Sequence, residues 1–327
     1  MLSEVVDIRQ LSARDFEPLL EAESRAWDAG LRWDYSASRR LISTCLGQQQ
    51  LSGYALLSEG RVTGYCFFFY EGEKGLIGDL FVIPNDNSVR RAQMLLEHVL
   101  ETLLSTPGLR RVETQLPHFS LEELEPCFRA RGFESYLRRF MTLSLSHRRS
   151  ASSPGGGAEA RPAAGTAPEL DAFRIEPWER QHDLAAAQLV YGTYRGHIDA
   201  QINDQYTSLA GSTRLIENIV HQRGCGQLLP RASLIAVHQP TQKLAGALAM
   251  TAVRTRTAHI PQVAVAEEFQ GMGLGSAMME ESFREVIVQG YEEVTLTVTD
   301  RNSRAVRFYE HLGLETFRTF GAFVWER

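Results

Sequence analysis

Three glycines at alternate positions, Gly271, Gly273 and Gly275, separate an apolar run from a helical pattern. A strand that enters a glycine-rich turn and then a helix presents backbone N–H groups at a positive helix end, which attracts phosphate. A side chain would hold the phosphate away from these amides, and some turn positions require positive φ. Two familiar phosphate turns fit badly, because no lysine precedes Ser276 and the spacing is GxGxG rather than GxGxxG.

The stretch QGMGLG, from Gln270 to Gly275, resembles motif A of the GNAT acyltransferases, Gln/Arg-x-x-Gly-x-Gly/Ala. A second stretch, DRNSRAVRFYEHLGL at 300–314, resembles the family signature N-x-x-A-x-x-x-Y-x-x-x-G-F, with Leu314 in place of the usual Phe. The resemblance covers Phe173 to Arg327 and implies acetyl-CoA as co-substrate, with its pyrophosphate in the glycine turn. No metal is expected. The implied cofactor contacts are Val263, Val265, Gln270, Gly271, Met272, Gly273, Leu274, Gly275, Ser276 and Asn302.

The implied chemistry is direct transfer of the acetyl group to an amine, without an acyl-enzyme. A backbone N–H of the strand, that of Val265 or a neighbour, would polarise the thioester carbonyl. The resemblance places Tyr309 near the CoA sulfur as general acid for the thiolate; a core aromatic on an amphipathic helix is the alternative. His259 lies eleven positions before Gln270, where some family members carry a glutamate. It is a candidate general base, and an ordinary strand-end histidine is an equal alternative.

A polar cluster lies in the stretch YRGHIDAQINDQYTSLAGS, in the region from which the family builds its acceptor pocket. A pocket for a polar, cationic amine and ordinary helix–loop polarity explain this cluster equally well. Asn302 also has two interpretations, because in such domains this residue contacts CoA or caps the helix that begins at Ser303. The candidate substrate-binding residues are His197, Asp199, Asn203, Asp204 and Tyr206.

The elements that must position these residues alternate between helix and strand patterns. In the second half, Arg180–Arg195 and Ser212–Gln222 have helical spacing, and strands, the glycine turn, two further helices and a closing strand follow. The first half repeats this order when Val82 is aligned with Val265. We therefore predict two copies of one α/β (α+β) fold, each with a mixed, mostly antiparallel, twisted sheet flanked by helices.

The two halves are separated by a segment rich in Ser, Ala, Gly and Pro, which buries too little apolar surface to become ordered. We predict a degenerate domain at 1–146, a flexible linker at 147–172 and an active domain at 173–327. In the first copy, Asn87, Arg90 and Ala92 replace the glutamine and two glycines of motif A, and Phe128 replaces the tyrosine. Binding of CoA phosphates by Arg90 and Arg91 in a divergent way is the alternative.

Composition limits the classes of partner. Of 327 residues, 43% are hydrophobic and 23% charged, which is typical of a soluble globular protein. The net charge of -6 argues against nucleic acid or an anionic membrane as a partner. The four cysteines have no metal-ligand spacing, and no signal peptide or membrane helix is expected. We expect a cytoplasmic monomer or homodimer.

These observations predict an acetyl-CoA-dependent N-acetyltransferase that acts on an amine of a small molecule or peptide by direct transfer in a ternary complex. Two alternatives stay open. The first is a non-catalytic acyl-CoA-binding or interaction module. The second is acetylation of a thiol-cofactor precursor, because the tandem layout is similar to that of the mycothiol synthases.

Overall fold

The computed structural model of the protein describes residues 3–146, 148, 170–222 and 224–327. Most of the predicted linker, 147–172, lies outside the described residues. The chain forms two compact units: unit 1 comprises Met1–Arg138 and Thr319–Arg327, and unit 2 comprises Arg139–Arg318. Across the described ranges, every helix is too short or too polar to cross a membrane.

The helices and strands follow the predicted alternation. In the first half they are β1 Ser3–Asp7, α1 Ala13–Leu31, α2 Ser36–Gly47, β2 Ser52–Ser58, β3 Arg61–Glu71, β4 Lys74–Val82, α3 Ser88–Leu104, β5 Arg111–Leu116, α4 Leu121–Arg129 and β6 Glu134–Ser144. In the second half they are β7 Phe173–Pro177, α5 Asp183–Tyr194, α6 Ile198–Ile202, α7 Leu209–Val220, β8 Gln227–Leu228, β9 Leu234–His238, β10 Lys243–Arg254, β11 Thr257–Val265, α8 Leu274–Val288, β12 Glu293–Thr299, α9 Ser303–His311 and β13 Glu315–Glu326.

Unit 1 is built on a mixed sheet with the strand order β1-β2-β3-β4-β5-β13. Neighbouring strands are antiparallel except for β4 and β5, which are parallel and are joined through α3. Apolar residues recur at helical spacing on one face of α3 and pack against the sheet. The fully buried residues of this face are Ala92, Leu95, Leu96, Val99, Leu100 and Leu103.

Unit 2 has the corresponding sheet order β6-β12-β11-β10-β9-β7, with β8 paired to β10. Here β11 and β12 are parallel and are joined through α8, and helices cover both faces of the sheet. One face packs against α8 through Met278, Met279, Phe283 and Val286. The other packs against α5 and α7 through Ala186, Ala187, Val190, Ile216 and Ile219.

Each unit contains a strand segment from the other half of the sequence. In unit 1, β13 pairs antiparallel with β5, from Gly321 opposite Leu116 to Glu326 opposite Arg111. In unit 2, β6 lies beside β12, and the Leu145 backbone N–H donates to the Glu292 carbonyl at 2.8 Å. Neither sheet is therefore made from one continuous segment of the chain.

Candidate active site

The glycine turn links the end of β11 to the start of α8. Gly271 has φ 86° and Gly273, the N-cap of α8, has φ 82°, so both lie in the left-handed region that favours glycine. A Cβ built on either residue meets no heavy atom within 4 Å. At Gly275 a Cβ would meet the Phe308 ring at 3.5 Å, an ordinary contact. The backbone conformation thus requires the first two glycines, and the space in front of them is open.

The first turn of α8 can bind an anion. Its first internal hydrogen bond runs from the Ala277 N–H to the Gly273 carbonyl at 3.0 Å, so the preceding N–H groups have no intrahelical acceptor. No acidic side chain lies in this first turn. Leu274 and Met278 are buried and anchor the helix to the core. These N–H groups and the positive helix end favour a phosphate group.

Gln270 connects the end of β11 to α9. Its Nε2 donates to the Val265 carbonyl at 2.9 Å, and its Oε1 accepts from Arg304 Nη1 at 2.8 Å. The side chain therefore holds the turn in position and brings a guanidinium group beside it. From the sequence, no role is predicted for Arg304, although it stands two residues after Asn302 in the second motif, and that position could have indicated it.

The register of β11 with β12 ends at Ile260, and the stretch of this edge of β11 between Ile260 and the glycine turn is called the gap below. The parallel register of β11 with β12 runs from Thr257 opposite Glu293 to Ile260 opposite Leu296. Further along, the Val263 carbonyl accepts a hydrogen bond from Tyr194 Oη at 3.0 Å, and the Val265 carbonyl accepts from Gln270. Because the N–H and C=O of a strand residue point to the same side, the N–H groups of Val263 and Val265 face this gap too.

Tyr309 lies in the core of unit 2, on the inner face of α9. Its side chain is 8% exposed, and its ring centroid is 5.3 Å from that of Phe308. Burial, and then the nearby Asp199 carboxylate, raise the pKa of this phenol well above its ordinary value. The hydroxyl is therefore protonated at neutral pH, as a general acid must be, and the ring also serves as a core aromatic.

Four polar side chains meet near Tyr309; His197, Asp199, Thr299 and Asn302 are called the His197 cluster below. Asn302 caps α9, since its Oδ1 accepts from the Ala305 N–H at 3.1 Å. Its Nδ2 lies 3.2 Å from His197 Nε2, and the Thr299 hydroxyl donates to Asp199 Oδ1. Thr299, the last residue of β12, was missed by sequence reasoning.

The imidazole of His197 has two competing hydrogen-bond patterns. Its Nδ1 lies 3.3 Å from the Asp199 carboxylate and 3.2 Å from the Asp199 backbone N–H. A proton on Nδ1 can bond to the carboxylate, whereas a proton on Nε2 leaves Nδ1 to accept from the backbone. The Asn302 amide nitrogen favours the first pattern, because it donates to Nε2.

Two stacked tyrosines cover the same edge of β11. The rings of Tyr194 and Tyr206 are 4.3 Å apart at 12°, and Tyr206 Oη donates to Gln262 Oε1 at 2.9 Å. Burial, followed by neighbouring charges, raises the pKa of Tyr194 well above its ordinary value. Sequence reasoning did not single out Tyr194 or Gln262, although Tyr194 is the last residue of α5 and the first residue of the polar stretch.

The sequence of this region matches a protein-family model. Residues 193–314 match the model described as the acetyltransferase (GNAT) family, a segment that includes the His197 cluster, the glycine turn and Tyr309. The domain that contains this matching segment is called the GNAT domain below, after the model that it matches. No curated protein matches the chain in sequence.

Solved structures share the fold over nearly the whole chain. A tandem GNAT protein from the clavulanic acid biosynthesis pathway, solved without AcCoA, has 17% identity and a TM-score of 0.63, covering 99% of this chain and 98% of that one. A GCN5-related N-acetyltransferase from Sphaerobacter thermophilus has 14% identity and a TM-score of 0.65, with coverage of 99% and 95%. The predicted tandem fold and the predicted fold class are confirmed.

The remaining acceptor candidates of the GNAT domain have local partners. Asn203 Oδ1 accepts from the Gln205 N–H at 3.0 Å and caps the 3₁₀ turn at Asp204–Thr207. The Asp204 carbonyl accepts from the Thr207 hydroxyl at 2.7 Å within the same turn. These contacts are the helix–loop polarity considered as the alternative. The GNAT domain thus brings His197 and Asp199 together with Tyr309, and Asn203 shapes the adjoining turn.

His259 lies near the start of β11, six residues before Val265, which is about 20 Å of extended chain. Its Nδ1 is 3.0 Å from Thr295 Oγ1 on β12, and its ring centroid is 5.9 Å from that of Phe140. Burial lowers the pKa of this imidazole to about 3. The ring is therefore neutral and a weak proton acceptor near neutral pH, which favours the interpretation as an ordinary strand histidine.

The corresponding turn of unit 1 has a different backbone. Asn87 is the N-cap of α3 with φ -111°, and within the described residues 83–92 no positive φ occurs. Ala92 is fully buried in the core. Phe128 stacks on Phe323 with ring centroids 3.9 Å apart. The turn therefore lacks the left-handed glycines of the GNAT domain, and an apolar ring takes the place of the tyrosine.

Proposed function

We propose that the GNAT domain, at 173–327, transfers an acetyl group from acetyl-CoA to an amine of a small molecule or peptide. The observation that carries this proposal is the glycine turn, with Gly271 and Gly273 in the left-handed region and open space before the first turn of α8. The N–H groups of that turn suit the pyrophosphate, and Arg304, held by Gln270, adds a positive charge.

The edge of β11 beyond its pairing with β12 suits the rest of the acetyl-CoA molecule. The N–H groups of Val263 and Val265 point into the gap beside β12, where a backbone donor can stabilise the oxyanion that forms at the thioester carbon. Tyr194 holds the Val263 carbonyl and so fixes the orientation of this part of the strand. We assign the polarising N–H to Val265 or Val263.

We assign the proton transfers to Tyr309 and the His197 cluster. The amine nitrogen attacks the thioester carbon, the C–S bond breaks, and the amide forms. The amine proton passes to His197, whose ring is oriented by Asp199 and Asn302. The CoA thiolate takes the proton of Tyr309, whose hydroxyl is protonated at neutral pH. Proton exchange with solvent then returns Tyr309 and His197 to their starting states. His259 is not assigned as the base, because its pKa of about 3 is too low.

Thiol release from acetyl-CoA over a panel of amines tests this proposal. Gly273→Arg places a side chain in the open space and strains the backbone, so we expect the acetyl-CoA KM to rise by about tenfold or more. Gly290→Arg is the matched control: Gly290 has φ 91° at the other end of α8, and its Cβ would also meet no atom within 4 Å. We expect this control to keep the wild-type KM.

Tyr309→Phe separates catalysis from binding. Loss of the general acid is expected to lower kcat by about a hundredfold or more while the acetyl-CoA KM stays near the wild-type value. Equal effects of the two glycine variants, or full activity of Tyr309→Phe, would refute the site assignment. Saturable acetyl-CoA binding without thiol release for any amine would favour the non-catalytic acyl-CoA-binding module instead.

A further inference from the structure

Unit 1 brings two buried carboxylates and a partly buried imidazole together at one point of its fold. Glu23 lies on α1, Asp79 on β4, and His118 follows the end of β5. One potential ligand atom from each of the three lies within 4.8 Å of the others. Glu23 is fully buried and Asp79 is 5% exposed. Nothing in the proposed acetyl transfer uses these residues.

Hydrogen bonds fix both carboxylates and leave one oxygen open. Tyr65 Oη donates to Glu23 Oε2 at 2.8 Å, and Tyr35 Oη donates to Asp79 Oδ2 at 2.7 Å. The Leu80 N–H donates to Asp79 Oδ1 at 2.8 Å. Glu23 Oε1 is buried and accepts no hydrogen bond within the described part of the chain. A buried carboxylate oxygen without a donor is costly unless a ligand meets it.

Two carboxylates this close in a buried site require a shared proton or a cation. The His118 ring packs edge-on against Trp27 and Phe81, with centroids 5.0 and 5.2 Å away. These contacts hold the imidazole beside the carboxylates, and a neutral imidazole is a common metal ligand.

Unit 2 contains a corresponding tyrosine hydrogen bond, but its acceptor is a neutral amide and not a carboxylate. In the alignment of the two halves, Asp79 takes the place of Gln262, whose Oε1 accepts from Tyr206 as Asp79 accepts from Tyr35. Each of these tyrosines stacks on another aromatic ring, at 4.3 Å in unit 2 and 4.8 Å in unit 1. Unit 1 therefore keeps the frame and replaces a neutral amide with an anion next to Glu23.

We propose that Glu23, Asp79 and His118 bind one divalent transition-metal ion of the Zn²⁺ type. Imidazole nitrogen with carboxylate oxygens suits zinc and similar ions, whereas Mg²⁺ and Ca²⁺ prefer oxygen ligands alone. The tyrosine hydroxyls supply the outer hydrogen bonds that orient ligating carboxylates. The ion joins α1, β4 and the end of β5, so its role is to stabilise unit 1.

Calorimetric titration of the full-length, chelator-treated protein with ZnCl₂ tests the site. We expect one equivalent to bind, and the Zn²⁺ affinity to fall by about tenfold or more in Glu23→Gln and in His118→Asn. Matched controls are Glu97→Gln and His98→Asn, which change exposed residues of α3 in the same unit. Both controls are expected to keep the wild-type affinity.

Thermal unfolding gives a second readout. Zn²⁺ should raise the Tm of the wild-type protein and leave that of Glu23→Gln unchanged. Without Zn²⁺, Glu23→Gln should be about as stable as wild type, because a neutral amide replaces a carboxyl group that otherwise has to share a proton with Asp79. If Glu23→Gln does not fold, the His118→Asn variant tests the site instead, because the His118 side chain is only partly buried and its replacement disturbs the core less. Absence of Zn²⁺ binding, or binding that persists in both site variants, would overturn the proposal and leave a carboxylate pair that shares a proton.

Discussion

The burial of His259 has a measurable effect on acid stability. In the folded protein burial lowers the pKa of this ring from 6.5 to about 3, so the folded state disfavours the charged form. The two described contacts of the ring, with Thr295 and Phe140, are with neutral side chains. Its contribution to stability is fully present above pH 6.5 and is lost as the pH falls toward 3, because the unfolded chain then binds a proton that the folded chain does not.

The size of the effect follows from these two pKa values. Between pH 7 and pH 5 the unfolded ring becomes largely protonated while the folded ring stays neutral. The linkage relation gives a loss of about 2 kcal/mol in the free energy of unfolding over this interval. His259→Asn removes the titrating group and keeps an amide next to Thr295, so the variant is expected to lose about 2 kcal/mol less than wild type over the same interval.

Urea denaturation of both proteins at pH 7 and pH 5 measures this difference. His311→Asn, an exposed histidine of the same unit, is the control and should keep the wild-type pH dependence. The same His259→Asn protein should keep the wild-type dependence of kcat/KM on pH between 6 and 8. Equal pH dependence of stability in wild type and His259→Asn would refute the argument from burial. If the pH profile of kcat/KM shows an ionisation in wild type that is absent from His259→Asn, His259 is again a candidate for the general base.

Two further predictions concern the GNAT site. Asp199→Asn should lower kcat by about tenfold or more and leave the acetyl-CoA KM within about twofold, because Asp199 contacts His197 and Thr299, which are assigned to proton transfer and its support. Steady-state kinetics with each substrate varied measure both constants, and a raised acetyl-CoA KM would contradict this prediction. Arg304→Gln should raise the acetyl-CoA KM about threefold, and the increase should be smaller at high salt. Arg307→Gln, on the same helix, should leave the acetyl-CoA KM unchanged. Equal effects of the two arginine variants would exclude a phosphate contact for Arg304.

Local sequence patterns predict much of this fold. The glycine spacing identifies the turn before α8, and the helix signature places Asn302 at the N-cap of α9, where the structure has it. The start of α7 differs from the expectation at Ser212, because Ser208 caps the helix through the Gly211 N–H at 3.0 Å. Several capping residues stand close together in this stretch, and propensity alone does not choose among them.

The residues that sequence reasoning missed form contacts between distant positions. Tyr194 bonds to a carbonyl 69 positions away, Tyr206 to the Gln262 side chain 56 positions away, and Thr299 to Asp199 across 100 positions. Such pairs follow from the order of the strands and the packing of helices on the sheet, which no local periodicity encodes. The same limit applies to the strand segments exchanged between the halves, because the pattern of β13 predicts a strand without indicating its partner.

The pairing of β13 with β5 makes the order of synthesis matter for unit 1. Translation delivers Thr319–Arg327 only after all of unit 2, so the sheet of unit 1 remains one strand short until then. Through that interval the backbone groups of β5 form an open edge, which is the kind of edge that other chains pair with. A fragment containing residues 1–146 alone would keep that edge permanently, so the first half of this chain cannot be excised as an independent module without the risk of aggregation.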